Sequence, residues 1–150
     1  MGSKTKTWAE KLEDARNKKD LPTVKLCQKT GKRLALPSVA DVEAQMRSVP
    51  LGRVRTIRQM TDDFAAKYEA DMACPMLTGI FVWIVAHASD EAAAPDVPWW
   101  RTVKSDGKLN PKFPDGPAKQ RMLLEAEGVE LEEGHGKQPP RVRHLGRFLS

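Results

Sequence analysis

Apolar residues recur at helical spacing along three consecutive stretches of this chain. Val39, Val42, Met46 and Val49 stand at offsets 0, 3, 7 and 10, one stripe of an amphipathic helix. Ser38, three residues before Asp41, supplies an N-cap and puts an acid in the first turn. Pro50-Leu51-Gly52 ends that helix. Ile57, Met60, Phe64 and Tyr68 stand at 0, 3, 7 and 11 and predict a second helix, with Thr56 and Gln59 at capping-box spacing. A short connection, 69–73, leads to Pro75, which suits the first position of a third helix. Leu77, Ile80, Phe81, Ile84, Val85 and Ala88 give that helix one broad buried face. Three amphipathic helices joined this closely fit a helix-turn-helix arrangement.

The pattern loosens on either side. Residues 90–98 read as an Ala- and Pro-containing loop and 99–103 as a strand. Ser105-Asp106-Gly107 is a tight-turn signal with Lys108-Leu109 returning, so a β-hairpin wing is expected. Residues 110–116, with Pro111 and Pro114, form a rigid loop. Residues 118–127 make the last helix, with Met122, Leu123 and Ala126 inward and Gly128 at its C′ position. The first 35 residues read as an arm carrying a short helix, in which Trp8, Leu12 and Ala15 share a stripe. The fold class expected is mainly α: a winged-helix-like helix-turn-helix domain with a short hairpin wing. Its expected division is an N-terminal arm at 1–35, a domain at 36–133 and a tail at 134–150.

A chain of 150 residues is one domain's worth and can bury a core without disulfides or metal. No window approaches 18 apolar residues, so no membrane partner is expected. The first residues lack the apolar run of a secretion signal, and Lys6 breaks the myristoylation pattern. Two cysteines, Cys27 and Cys74, make neither a disulfide framework nor a zinc site, and His87, His135 and His144 have no metal-ligand spacing. A reduced, cytoplasmic, monomeric protein without metal or cofactor is expected. Charge changes the picture more. The net +5 is uneven: residues 1–35 carry ten Lys and Arg against four acids, 36–135 eleven against sixteen, and 136–150 four against none. Basic ends on an acidic body are a footprint of nucleic-acid binding through phosphate neutralisation, although solvated tails explain the charge equally well.

Chemistry enters through an ordered series of motifs. Val49-Pro50-x-Gly52-Arg53-Val54-x-Thr56 leads into the second helix, and Gly79 lies within the third. Pro98-Trp99-Trp100-Arg101, Val103, Gly107 and Gly116 follow, then Leu123-Leu124-x-x-Glu127-Gly128. In order and spacing this series resembles the methylguanine-DNA methyltransferases over residues 37–131. The resemblance puts Trp99 at the methyl-accepting cysteine and Trp100 at its paired histidine. An indole cannot replace a thiolate nucleophile or its base, so methyl transfer at this site is excluded. The resemblance also puts Glu127 at the glutamate that orients the histidine, Ile57 at the tyrosine that turns the target phosphate, Met76 at the arginine that fills the vacated stack, and Phe113 at the lesion-pocket tyrosine. The nonenzymatic alkyltransferase-like branch of the family carries tryptophan at the cysteine position, usually as Pro-Trp-His-Arg rather than Pro-Trp-Trp-Arg.

The function this resemblance implies is nonenzymatic recognition of alkylated guanine in double-stranded DNA, associated with the nucleoid, with nucleotide excision repair proteins as partners. The helix around Met76, Leu77 and Thr78 would enter the minor groove, with Met76 as an apolar wedge. Arg53, Arg55 and Arg58 would hold phosphates, and Trp99, Trp100, Arg101 and Phe113 would frame a base pocket. Other readings stay open. The two tryptophans also suit a packed core, and the three arginines an ordinary solvated face. The chain also fits a regulatory DNA-binding module without lesion recognition. It further fits an enzyme using Cys74, which sits at a helix N-terminus where a thiolate is favoured.

Overall fold

The computed structural model describes residues 6–92 and 96–150. The readings of the first five residues and of the centre of the 90–98 loop lie outside the described residues. In chain order the elements are α1 (Trp8–Arg16), β1 (Thr23–Leu26), β2 (Arg33–Leu36), α2 (Val39–Arg47), β3 (Arg55–Thr56), α3 (Ile57–Lys67), β4 (Met72–Ala73) and α4 (Pro75–Glu91). A 3-10 turn (Trp99–Arg101) follows, then β5 (Thr102–Val103), α5 (Gly116–Ala126), β6 (Leu131–Glu132), β7 (Arg141–Val142) and α6 (Leu145–Phe148).

Local chemistry sets the helix starts. Ser38, Thr56 and Thr7 each accept the N–H three residues on, and the side chain at that third position accepts back, so α2, α3 and α1 all begin in capping boxes. Val39, Val42 and Met46 of α2 and Met60 and Phe64 of α3 are buried together against α4. The buried face of α4 differs from the expectation at its edge. Phe81, Val82, Val85 and Ala86 face inward, whereas Ile80 is 43% exposed. A stripe advancing 100° per residue through positions 78, 81, 82 and 85 leaves position 80 on the far flank.

The basic N-terminal segment is not a free arm. Helix α1 packs on α4 and α2, and Ala15 enters the main core together with Leu12, Leu21 and Val24. Strands β1 and β2 pair antiparallel, and β2 pairs parallel with β4, giving a three-stranded sheet beside the helices. The stripe of α1 and the inner face of this hairpin bury apolar area that a solvated arm would leave in water.

A second, smaller core joins Val54, Val103, Leu109, Leu124, Val129 and Val142. It explains two further departures. The turn at 105–107 forms, closed by the Lys104 N–H to the Lys108 carbonyl, but β5 does not run back along its own hairpin. It pairs parallel with β3, Arg55 opposite Thr102 and Thr56 opposite Val103, while Lys108 bridges to Arg141. The basic tail is also folded. β6 and β7 pair antiparallel, Val142 is buried, and the Val54 N–H and carbonyl bond the Phe148 carbonyl and the Ser150 N–H. Helix α5 turns Gln120 and Leu124 inward, whereas Met122 and Ala126 face solvent. The Gln120 amide donates to the carbonyls of Trp100 and Thr102 and accepts from the Asn110 N–H, so a buried polar group is fully used. No helix of the described residues is long and apolar enough to cross a membrane.

Candidate nucleic-acid interface

The Pro98-Trp99-Trp100-Arg101 stretch forms a 3-10 turn rather than a strand. The Trp99 N–H bonds the Val97 carbonyl at 2.8 Å and the Arg101 N–H bonds the Pro98 carbonyl at 3.1 Å. Successive side chains of such a turn point about 120° apart, so the three neighbours do not all enter the core. Trp99 enters the main core at 1% exposure. Its ring meets Phe113 and Trp100 edge-on, both at 5.7 Å between ring centres. Phe113 is itself 3% exposed. Of the expected pocket residues, Trp99, Trp100 and Phe113 are therefore brought together as a closed, edge-on aromatic cluster, the aromatic chamber.

Trp100 and Arg101 turn toward Glu127. The Trp100 Nε1–H donates to Glu127 Oε2 at 2.7 Å. The Arg101 guanidinium donates through Nε to Oε1 and through Nη2 to Oε2, both at 2.9 Å, and through Nη1 to the Val49 carbonyl at 2.8 Å. The Gly52 N–H, at a backbone φ of +78° that favours glycine, adds a bond at 3.1 Å. The Arg101 and Glu127 side chains are 14% and 9% exposed. Burial pushes the Glu127 carboxyl upward, but Arg101, the Gly52 N–H and the Trp100 indole outweigh it and hold the group below the usual carboxylate range. Glu127 thus ties the α2–α3 connection to the turn that carries both tryptophans. Arg101 is committed to this network and does not line an open pocket.

The residues expected to contact DNA divide into two groups. Met76 is 75% exposed at the start of α4, flanked by exposed Met72 and Ile80. Arg58 is exposed on α3 and pairs only with its neighbour Asp62 among the described residues. Arg53 is exposed and donates to the Arg147 carbonyl at 2.7 Å. By contrast, Arg55 is held inside the fold by Gln45, Asp63 and the Ser150 carbonyl. Thr78 has 0% exposure and donates to the Cys74 carbonyl at 2.8 Å, and Leu77 leans on the core. Cys74 caps α4, its Sγ accepting the Leu77 N–H at 3.4 Å. Among the described residues no cluster of His, Cys, Asp and Glu is arranged to hold a metal.

Four residues escaped the sequence reading as participants in the site. Gln120 is polar and so invisible to a hydrophobic pattern. Ile80 stands four residues after Met76, a spacing that does mark it as part of the same exposed flank. Trp83 and His87 both reach the carbonyl of Lys112, in the loop that carries Phe113.

Comparison with known proteins bears on the fold and the family. The chain resembles two solved structures from S. pombe: Atl1 in complex with damaged DNA containing O6-carboxymethylguanine, and ATL in complex with DNA. Identities are 21% and 20%, and each match has a TM-score of 0.55 and covers 75% of this chain and 93% of the other. At that identity the likeness concerns the fold. No curated protein matches the chain at a significant level. A family model described as the DNA-binding domain of 6-O-methylguanine DNA methyltransferase matches residues 37–129, more than half of the chain, so the chain belongs to that family.

Proposed function

We propose that this protein binds double-stranded DNA without catalysing methyl transfer, as an alkyltransferase-like sensor of alkylated guanine whose bound complex promotes repair. The observation that carries the reading is the Trp99-Trp100-Arg101 turn with its Glu127 anchor. By family register the nucleophile position holds an indole packed on Phe113, and the base position holds an indole bonded to the carboxylate. Neither group accepts a methyl cation or removes a proton from a thiol. Both offer flat aromatic faces on which a purine can stack. The S. pombe structures, one with damaged DNA containing O6-carboxymethylguanine and one with DNA, support DNA as partner and an O6-alkylated guanine as the ligand class.

In this reading the start of α4 enters the groove. Met76, with Met72 and Ile80 beside it, wedges apart a base step as apolar side chains do in kinked minor-groove complexes. Arg53 and Arg58 hold phosphates and contribute affinity without sequence preference. The chamber is closed in the free chain, so a flipped base enters only when the 110–116 loop carries Phe113 away from Trp99.

Binding to a duplex with one O6-alkylated guanine, against the same duplex unmodified, tests this across a salt series. The sensor reading expects tighter lesion binding that persists as salt rises. The closed chamber favours one second reading, a DNA-binding regulatory module without lesion recognition. That reading expects equal binding to both duplexes and a steep salt slope, because only phosphate contacts remain.

A further inference from the structure

Helix α1 lies outside residues 37–129, the segment matched by the family, yet it reaches the aromatic chamber through a short series of contacts. Trp8 stacks on the His87 imidazole, with ring centres 4.1 Å apart and planes 15° from parallel. It also meets Trp83 edge-on at 4.9 Å. The Trp83 Nε1–H donates to the Lys112 carbonyl at 3.0 Å, and His87 Nε2 approaches the same oxygen at 2.6 Å. A carbonyl oxygen only accepts, so His87 Nε2 carries a hydrogen, and the two donors use both lone pairs of that oxygen. Lys112 directly precedes Phe113, the residue whose ring closes on Trp99. A backbone movement that carries Phe113 away from Trp99 draws the Lys112 carbonyl off two donors, and Trp8 packs on both of them. The Lys11 ammonium, 4.1 Å from the Trp8 ring centre, tethers that ring to its own helix.

We propose that α1 is a clamp on the chamber: Trp8, as a positioning residue, holds Trp83 and His87 against the Lys112 carbonyl and so sets how readily Phe113 swings off Trp99 to admit a base. The consequence for recognition rests on the lesion-sensor reading above; the mechanical coupling does not.

Both parts can be tested on the full chain with Trp8→Ala and Trp8→Phe. Amide exchange reads the loop directly, because the Phe113 and Gly116 N–H groups bond the Asn110 and Phe113 carbonyls. Trp8→Ala is expected to speed their exchange about tenfold while amides of α3 change less than about twofold, and Trp8→Phe, which keeps a stacking ring, restores most of the protection. Because a closed chamber taxes apparent affinity by its open fraction, Trp8→Ala is also expected to raise the preference for the alkylated duplex roughly threefold, with unmodified binding unchanged. Unchanged loop exchange, or acceleration of loop and α3 together, overturns the clamp. A loosened loop with no lesion preference in any variant leaves the clamp standing and sinks the sensor reading. A loosened loop with wild-type lesion preference removes the clamp from recognition.

Discussion

Glu127 shows how much one side chain decides here. It accepts from Trp100 and Arg101 of the 3-10 turn and from Gly52 of the α2–α3 connection, so it joins two segments far apart in the chain. Removing it leaves the Arg101 charge nearly buried and uncompensated, so Glu127→Ala is expected to cost about 3 kcal/mol of unfolding free energy in urea titrations. The acid response follows from the lowered pKa of this group. A carboxylate held below its unfolded value of about 4.3 contributes stability that is complete above that pH and is lost as pH falls through the folded value. Stability of the wild type should therefore drop on acidification below about pH 4.3, and Glu127→Gln should flatten that limb in urea melts at stepped pH. Trp99 supports a different prediction. Under the proposed family register Trp100 stands at the histidine position, so Trp99→Cys supplies a thiol but no base, and incubation with methylated duplex should leave the intact protein mass unchanged. A gain of one methyl group would refute the account of the missing pair.

At the scale of elements, caps and stripes separate stability from function. Thr56 accepts the Gln59 N–H at the start of α3, and Thr56→Ala should cost about 1 kcal/mol, read as a lower urea midpoint. Met76 stands on the opposite side of that division. It is exposed, so Met76→Ala should change stability by less than about 0.5 kcal/mol. Under the wedge assignment the same substitution should weaken binding to the alkylated duplex, and equal affinity in a titration would remove Met76 from the interface. The starts of α2 and α3 and most of their buried positions were legible in the sequence, because a cap and a 3.6-residue period are written within a few neighbouring residues. The inward face of α5 was not. Gln120 is buried for its hydrogen bonds, and Leu124 rather than Met122 follows once Gln120 faces in.

The whole molecule recruits its basic ends into the body. Val142 is buried in the second core, with Leu145, Phe148 and Leu149 packed on it, and the last residues bond the backbone of Val54. Deleting 134–150 should therefore lower the urea midpoint, rather than only weaken DNA binding through lost charge. Truncated protein with wild-type stability would show the tail to be expendable. Charge counts alone suggested arms, since composition registers lysines and arginines and not the few apolar residues between them. Even so, the sequence by itself determined the three central helices and the order of the family motifs, because each depends on residue identity or on spacing within one or two turns. Only the tertiary structure decided that Trp99 is sealed against Phe113, that Trp100 and Arg101 share Glu127, that β5 pairs parallel with β3, and that α1 covers His87. These contacts join residues far apart in the chain, and they depend on which faces and donors remain uncovered once the helices have packed.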